Sequence, residues 1–162
     1  MIVICASLLN HDGPSGNIAG PGIWAKIYNI KSKTWLTTSP FNVNQLSAGA
    51  QTESATVALT GLKFLIAFYT DPGFVKTRMW TPSSGFDVST NAWTVGDEEV
   101  VNSYTSNDQR NLRWLKMPKE SKALLTWDQW TTSGGNGNKI YGQFYDLNTG
   151  AKIGSNFILL AR

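Results

Sequence analysis

One histidine, His11, and one cysteine, Cys5, stand among 162 residues. They leave no Cys/His zinc set and no disulfide within the chain. Cys5 lies in the apolar run Ile2-Val3-Ile4-Cys5-Ala6 and reads as a buried, inert thiol. Charge is scarce too: Asp, Glu, Lys and Arg make up 15% of the chain, against about 25% in an average globular protein. The balance is only +3 and the charges are scattered, so a nucleic-acid partner is not expected. The longest apolar stretches, 1–6, 62–69 and 157–161, fall far short of the ~18 residues of a bilayer-spanning helix. No phosphate-binding loop, dinucleotide fingerprint or Gly-x-Ser-x-Gly elbow occurs. There is no Asn-x-Ser/Thr sequon. The opening Met1-Ile2-Val3-Ile4-Cys5 has no basic leader and does not read as a signal peptide.

What is abundant is aromatic residues and glycine: seven Trp, seven Phe, five Tyr and fifteen Gly. Hydrophobic residues reach 41%, enough to build a core in one domain. No segment has a capped 3.6-residue period, so almost no helix is expected. Instead the chain repeats itself. Ile23-Trp24-Ala25-Lys26-Ile27-Tyr28-Asn29 matches Ile140-Tyr141-Gly142-Gln143-Phe144-Tyr145-Asp146 at an offset of 117 residues (140 − 23 = 117). Lys76-Thr77-Arg78-Met79-Trp80-Thr81 fits the same frame, with Arg78 in the place of Lys26 and Gln143. A short apolar strand precedes each match: Val3–Ala6, Leu65–Phe68 and Leu124–Trp127. A third strand follows at Ser39–Val43, Glu99–Asn102 and Ser155–Leu159. Thr56–Lys63 and Leu112–Lys119 then lead by tight turns into the next apolar strand.

The chain therefore reads as one all-β domain of three four-stranded antiparallel units, about 1–61, 62–121 and 122–162, the last lacking its fourth strand. The opening strand of each unit is continuously apolar, as for a strand covered on both faces. The second alternates with period 2, setting Trp24, Lys26 and Tyr28 opposite Ile23, Ala25 and Ile27. Asp-, Asn-, Pro- and Gly-rich segments supply the turns. Such units resemble the tandem β-propeller-blade-like repeats of large extracellular and surface proteins of lectin or adhesin type. Residues 123–160 carry the resemblance best, with Ile-Tyr-Gly-Gln-Phe-Tyr-Asp and the Asn148-Thr149-Gly150 turn. It implies blades and an extracellular or surface location, and it transfers no catalytic residue. Propellers close with about four to eight blades, so three call for assembly with copies, for the remainder of a longer propeller, or for three sheets packed as a layered or prism-like body. A β-trefoil is the competing architecture; the uneven units and the continuously apolar opening strands speak against it.

The function that follows is non-enzymatic: a structural or adhesive repeat protein that associates with itself through open sheet edges. The alternative is a lectin-like module whose loops between first and second strands hold glycans. Asn10, Asp12, Asp71, Asp128, Trp130, Asn136 and Asn138 are the candidate residues, since planar polar groups bond sugar hydroxyls and an indole stacks on a sugar face. Their competing role is simply to turn the chain. A third reading is a propeller-type glycosidase, because Asp12, Asp71 and Asp128 recur at the ends of the apolar strands. No cofactor is required. Asn10-His11-Asp12-Gly13 allows calcium as a further reading, although an EF-hand loop carries more carboxylates. Trp24, Tyr28, Trp80, Tyr141 and Tyr145 are expected to pack between sheets, and Trp35, Trp93 and Trp114 to form exposed apolar surface. Asp97-Glu98-Glu99 reads as a solvated turn, and Arg110, Arg113, Lys116, Lys119 and Lys122 as a basic strip.

Overall fold

A computed structural model describes residues 2–8, 22–37, 39–45, 51–83, 93–130 and 138–161, with the backbone course alone for 2–8. Among the described residues, thirteen strands run in the order β1 (Ile2–Leu8), β2 (Gly22–Asn29), β3 (Thr34–Trp35), β4 (Phe41–Asn42), β5 (Gln51–Ala58), β6 (Phe64–Thr70), β7 (Phe74–Pro82), β8 (Trp93–Val95), β9 (Glu99–Val100), β10 (Asp108–Met117), β11 (Lys122–Trp130), β12 (Lys139–Asp146) and β13 (Lys152–Ala161). The helical content of the described residues is a single 3-10 turn, Pro118–Glu120.

The strands form three antiparallel sheets. The first holds β1–β4, the middle β5–β9 and the third β10–β13 in simple meander order. Neither a closed barrel, which a β-trefoil needs, nor a closed ring of blades is formed by the described strands. The sheets are cut differently from the units read off the sequence. Gln51–Ala58 belongs with the middle sheet, where it pairs with β6, and Asp108–Met117 opens the third. The third sheet thus has all four strands, and among the described residues the position that β5 and β10 hold has no paired counterpart beside β1. The reason is local. Gly61 and Leu62 both sit at positive φ and turn β5 straight back onto β6, closed by the Leu59 N–H donating to the Lys63 carbonyl at 2.9 Å. A tight hairpin pairs at the smallest loop-closure cost.

The middle sheet is covered on both faces. All seven residues of β6 are buried, which explains its unbroken apolar run. Phe64, Ile66 and Phe68, with Trp80, pack on Ile23, Ala25, Ile27 and Val43 of the first sheet. Leu65, Ala67 and Tyr69, with Val75, pack on Leu125, Trp127 and Tyr145 of the third. β11 alternates between buried and less buried, because only its Ala123-Leu125-Trp127-Gln129 side meets a neighbouring sheet.

The repetition extends to hydrogen bonds. The Val43 N–H donates to the Ile23 carbonyl and the Ile23 N–H to Asn44 Oδ1, each at 2.8 Å. The Val101 N–H donates to the Val75 carbonyl and the Val75 N–H to Asn102 Oδ1, again at 2.8 Å. Gln51, the first residue of β5, and Gln109, the second of β10, are both buried, and each is followed two residues later by a bulge residue at positive φ, Glu53 or Asn111. These three pairs share one spacing, 58 residues (102 − 44 = 58).

Candidate functional site

Of the candidate ligand residues, Asn10, Asp12 and Asn136 lie outside the described residues, and so does the calcium reading of the loop they belong to. Asp128, Trp130 and Asn138 are brought together at one end of the third sheet. The β10–β11 register sets Asp108 opposite Trp130 and Arg110 opposite Asp128, and the pairing of Gln129 with Lys139 sets Asn138 across from Trp130. The Trp130 ring is partly exposed, and the Arg110 guanidinium lies over it at 5.9 Å. Arg110 also donates to Asp108 Oδ2 at 2.6 Å. Asn111 Nδ2 donates to Asp128 Oδ2 at 2.9 Å, while the Asn111 N–H is taken by the Glu53 carboxylate across the sheet boundary. Asp108, Arg110 and Asn111 were not among the residues read as ligands. A hairpin register counted back from the Lys119 turn sets Asn111 opposite Asp128 and Gln109 opposite Trp130; the bulge between Arg110 and Arg113 shifts the strand by one residue and brings Arg110 and Asp108 there instead, and it has no sequence signal beyond a turn-prone residue type.

Asp71 sits elsewhere, in the β6–β7 turn. It accepts a hydrogen bond from the Tyr69 hydroxyl at 2.8 Å. Burial, and then that bond, push the Tyr69 hydroxyl up to about 12. The turn is locked by Gly73 (φ +87), since a Cβ there would lie 1.9 Å from the Thr105 carbonyl oxygen. Asp71 and Asp128 are thus each held by a neighbour, Tyr69 or Asn111. Among the described residues, no group of three or more His, Cys, Asp or Glu is placed to hold a metal.

The inter-sheet aromatics divide. Trp80 and Tyr145 are fully buried between sheets, and Tyr141 stacks on Trp127. Burial pushes the Tyr145 hydroxyl well above the ordinary tyrosine range. Trp24 and Tyr28 stay half-buried on the side of the first sheet that faces away from the middle one. Trp35 is exposed as expected, but Trp93 and Trp114 are partly buried and packed against the cores. Trp93 packs edge-on to Phe64, and Trp114 donates to the Ala55 carbonyl at 3.2 Å from within the second core. The Asp97–Glu99 segment is likewise not wholly solvated: Glu98 is almost buried, pairs with Lys76 at 2.7 Å and accepts from the Gln45 N–H. The basic residues do not make one strip, because Lys116 stands on the face opposite that of Arg110, Arg113 and Lys122.

Two further features were not read from the sequence. A groove of ≈ 370 Å³ between the first and middle sheets is lined by Phe41, Arg78, Trp80 and Trp93. Arg78 is already committed there, donating to the carbonyls of Gly96 and Val43 at 2.8 Å each. The larger feature is the outward face of the third sheet. Leu115, Leu124, Phe144 and Ile153 form one row across its four strands. Arg113, Thr126, Gly142 and Phe157 form the next. Phe144 stacks on Phe157, and Leu124, Phe157 and Leu159 close in over Gly142. Leu115, Ile153, Leu159 and Leu160 remain exposed. Comparison of the chain with protein-family models, with curated proteins and with solved structures returned no match.

Proposed function

We propose that this chain is a non-enzymatic structural module of an extracellular or surface assembly, built of blade-like sheets of the β-propeller kind and joined to copies of itself. One observation carries the reading: the third sheet turns an apolar row, Leu115-Leu124-Phe144-Ile153, outward over its full width. Soluble monomers rarely leave such a contiguous patch bare, and patches of this kind mark association surfaces. The reading calls for no cofactor or metal. Analytical ultracentrifugation over a wide concentration range tests it. The expected result is a mass above the 17.8 kDa of one chain, rising with concentration. A mass fixed at one chain throughout removes the reading.

A second reading, a glycan-binding module, is favoured by the end of the third sheet. There the Arg110 guanidinium lies over the exposed indole of Trp130, Asp108 stands opposite it in register and Asn138 follows on the adjoining strand, the kinds of group that bond sugar hydroxyls around a stacking platform. A glycan array read with the intact chain and with Trp130→Ala decides it. Binding that the variant loses supports the lectin reading; no binding by the intact chain eliminates it.

A further inference from the structure

Each sheet has two unlike faces. The forward face carries Ile23, Ala25 and Ile27 in the first sheet, Val75, Thr77 and Met79 in the middle and Ile140, Gly142 and Phe144 in the third, matched by the repeat. The rear face carries Lys26 and Tyr28, then Arg78 and Trp80, then Gln143 and Tyr145. Inside the chain, forward always meets rear. Ile23, Ala25 and Ile27 pack on the Trp80 side of the middle sheet, and Val75 packs on the Tyr145 side of the third. Thr77 Oγ1 meets the Tyr145 hydroxyl at 3.4 Å across that second contact. A cation on the rear face also reaches a carbonyl of the sheet in front of it. Arg78 donates to the Val43 carbonyl at 2.8 Å and Lys152 to the Val100 carbonyl at 3.0 Å.

Among the described residues, no other sheet covers the forward face of the third sheet or the rear face of the first. The forward face of the third sheet is the apolar one described above. Its Leu115, Leu124 and Phe144 stand where the middle sheet has Val57, Leu65 and Met79, which the third sheet covers. The rear face of the first sheet presents Tyr28 edge-on to Trp35 at 5.2 Å, with Lys26 over the Trp35 ring at 4.6 Å.

We infer that these two faces are the halves of a third, intermolecular copy of the same contact: the forward face of the third sheet receives the rear face of the first sheet of a second chain, head to tail. This rests on the self-associating reading above and names its interface. Tyr28 stands in the repeat where Tyr145 does, and Gly142 where Thr77 does, so the second chain's tyrosine seats over Gly142. Lys26 donates to the Leu160 carbonyl, since Leu160 faces Ile140 as the partner of Ile23, Val43, does in the first sheet. The contact is limited by the first sheet, which is three strand positions wide because β3 and β4 both pair with β2; about eight residues deep, its rear face projects roughly 14 by 26 Å. That is below the ~800 Å² per partner of a standard complex, so the association is expected to be weak and concentration-dependent.

The test uses two blocked chains. Leu159→Glu charges the forward face and Trp35→Glu the rear; both replace exposed side chains. Each variant alone is expected to sediment as a single chain of 17.8 kDa, and an equal mixture as a species of twice that mass, because each supplies the face the other lacks. Should either variant fail to fold by circular dichroism, Leu115→Glu and Tyr28→Glu replace them. If the intact chain associates but Trp35→Glu still dimerises alone, the contact joins like faces and the inference fails while self-association stands. If the blocked pair does not complement, the inference also fails. An intact chain that remains a monomer removes both.

Discussion

Asn102 shows how much one buried side chain carries. Its amide accepts from the Val75 N–H at 2.8 Å and donates to the carbonyls of Gly73 and Tyr104 at 2.7 Å each. It ties the end of β9 to the turn that places Asp71. Asn102→Ala leaves several buried backbone groups unpaired, so a loss of about 2–4 kcal/mol in urea-unfolding free energy is expected. A second residue-level prediction concerns pH. Tyr69 has its hydroxyl raised to about 12 by burial and by Asp71, against an ordinary value of 10.0. The fold therefore favours the neutral phenol. The stabilisation is complete below pH 10 and is lost as pH rises toward 12. Unfolding free energy followed across that alkaline range should fall less steeply in Tyr69→Phe than in the parent chain. At this scale the sequence was legible only in part. Asp128, Trp130 and Asn138 converge as neighbours along a hairpin do, whereas Asp71 hangs on a different sheet, because loops that match in the repeat are carried by separate sheets.

Among the elements, alternation was the clear signal. Strand β2 keeps Ile23, Ala25 and Ile27 buried, with Trp24, Lys26 and Tyr28 less so, and β6 is buried throughout. The grouping of strands into sheets was hidden for a geometric reason. A repeat has the same period wherever it is cut, so self-comparison cannot tell whether a unit begins with its apolar strand or with the strand that precedes it. The β5–β6 hairpin turn at Gly61-Leu62 is what decides it. Turns also fix how sheets meet. Asp146 Oδ1 accepts from the N–H groups of Asn148 and Thr149, which holds its carboxyl below the usual range and shapes the β12–β13 turn. Gly150 in that turn has φ +80, and a Cβ on it would lie 2.6 Å from Met79 Sδ of the middle sheet. Gly150→Ala is expected to cost about 2 kcal/mol, from backbone strain and from the clash. With Met79→Ala in the same chain, the cost of Gly150→Ala should fall to about 1 kcal/mol. A double-mutant cycle by thermal unfolding reads the coupling.

For the molecule as a whole, stacking order sets a hierarchy. The central strand β6 is hydrogen-bonded along both edges, by β5 and β7, and roofed on both faces by other sheets. The two-residue β3, by contrast, carries exposed side chains on the margin of the first sheet. Amide protons escape to solvent through local openings where few contacts must break, and only through complete unfolding where many must. In deuterium oxide, the amides of Ile66, Ala67 and Phe68 should therefore be the last to exchange, at the rate set by global unfolding. Those of Thr34 and Trp35 should be lost first. Mass spectrometry of peptic fragments, or two-dimensional NMR, can follow this order. If one chain docks on the next as proposed, exchange at Leu124 and Phe144 will slow as concentration rises while β6 stays unchanged, so a protection pattern alone can report where a stack has grown.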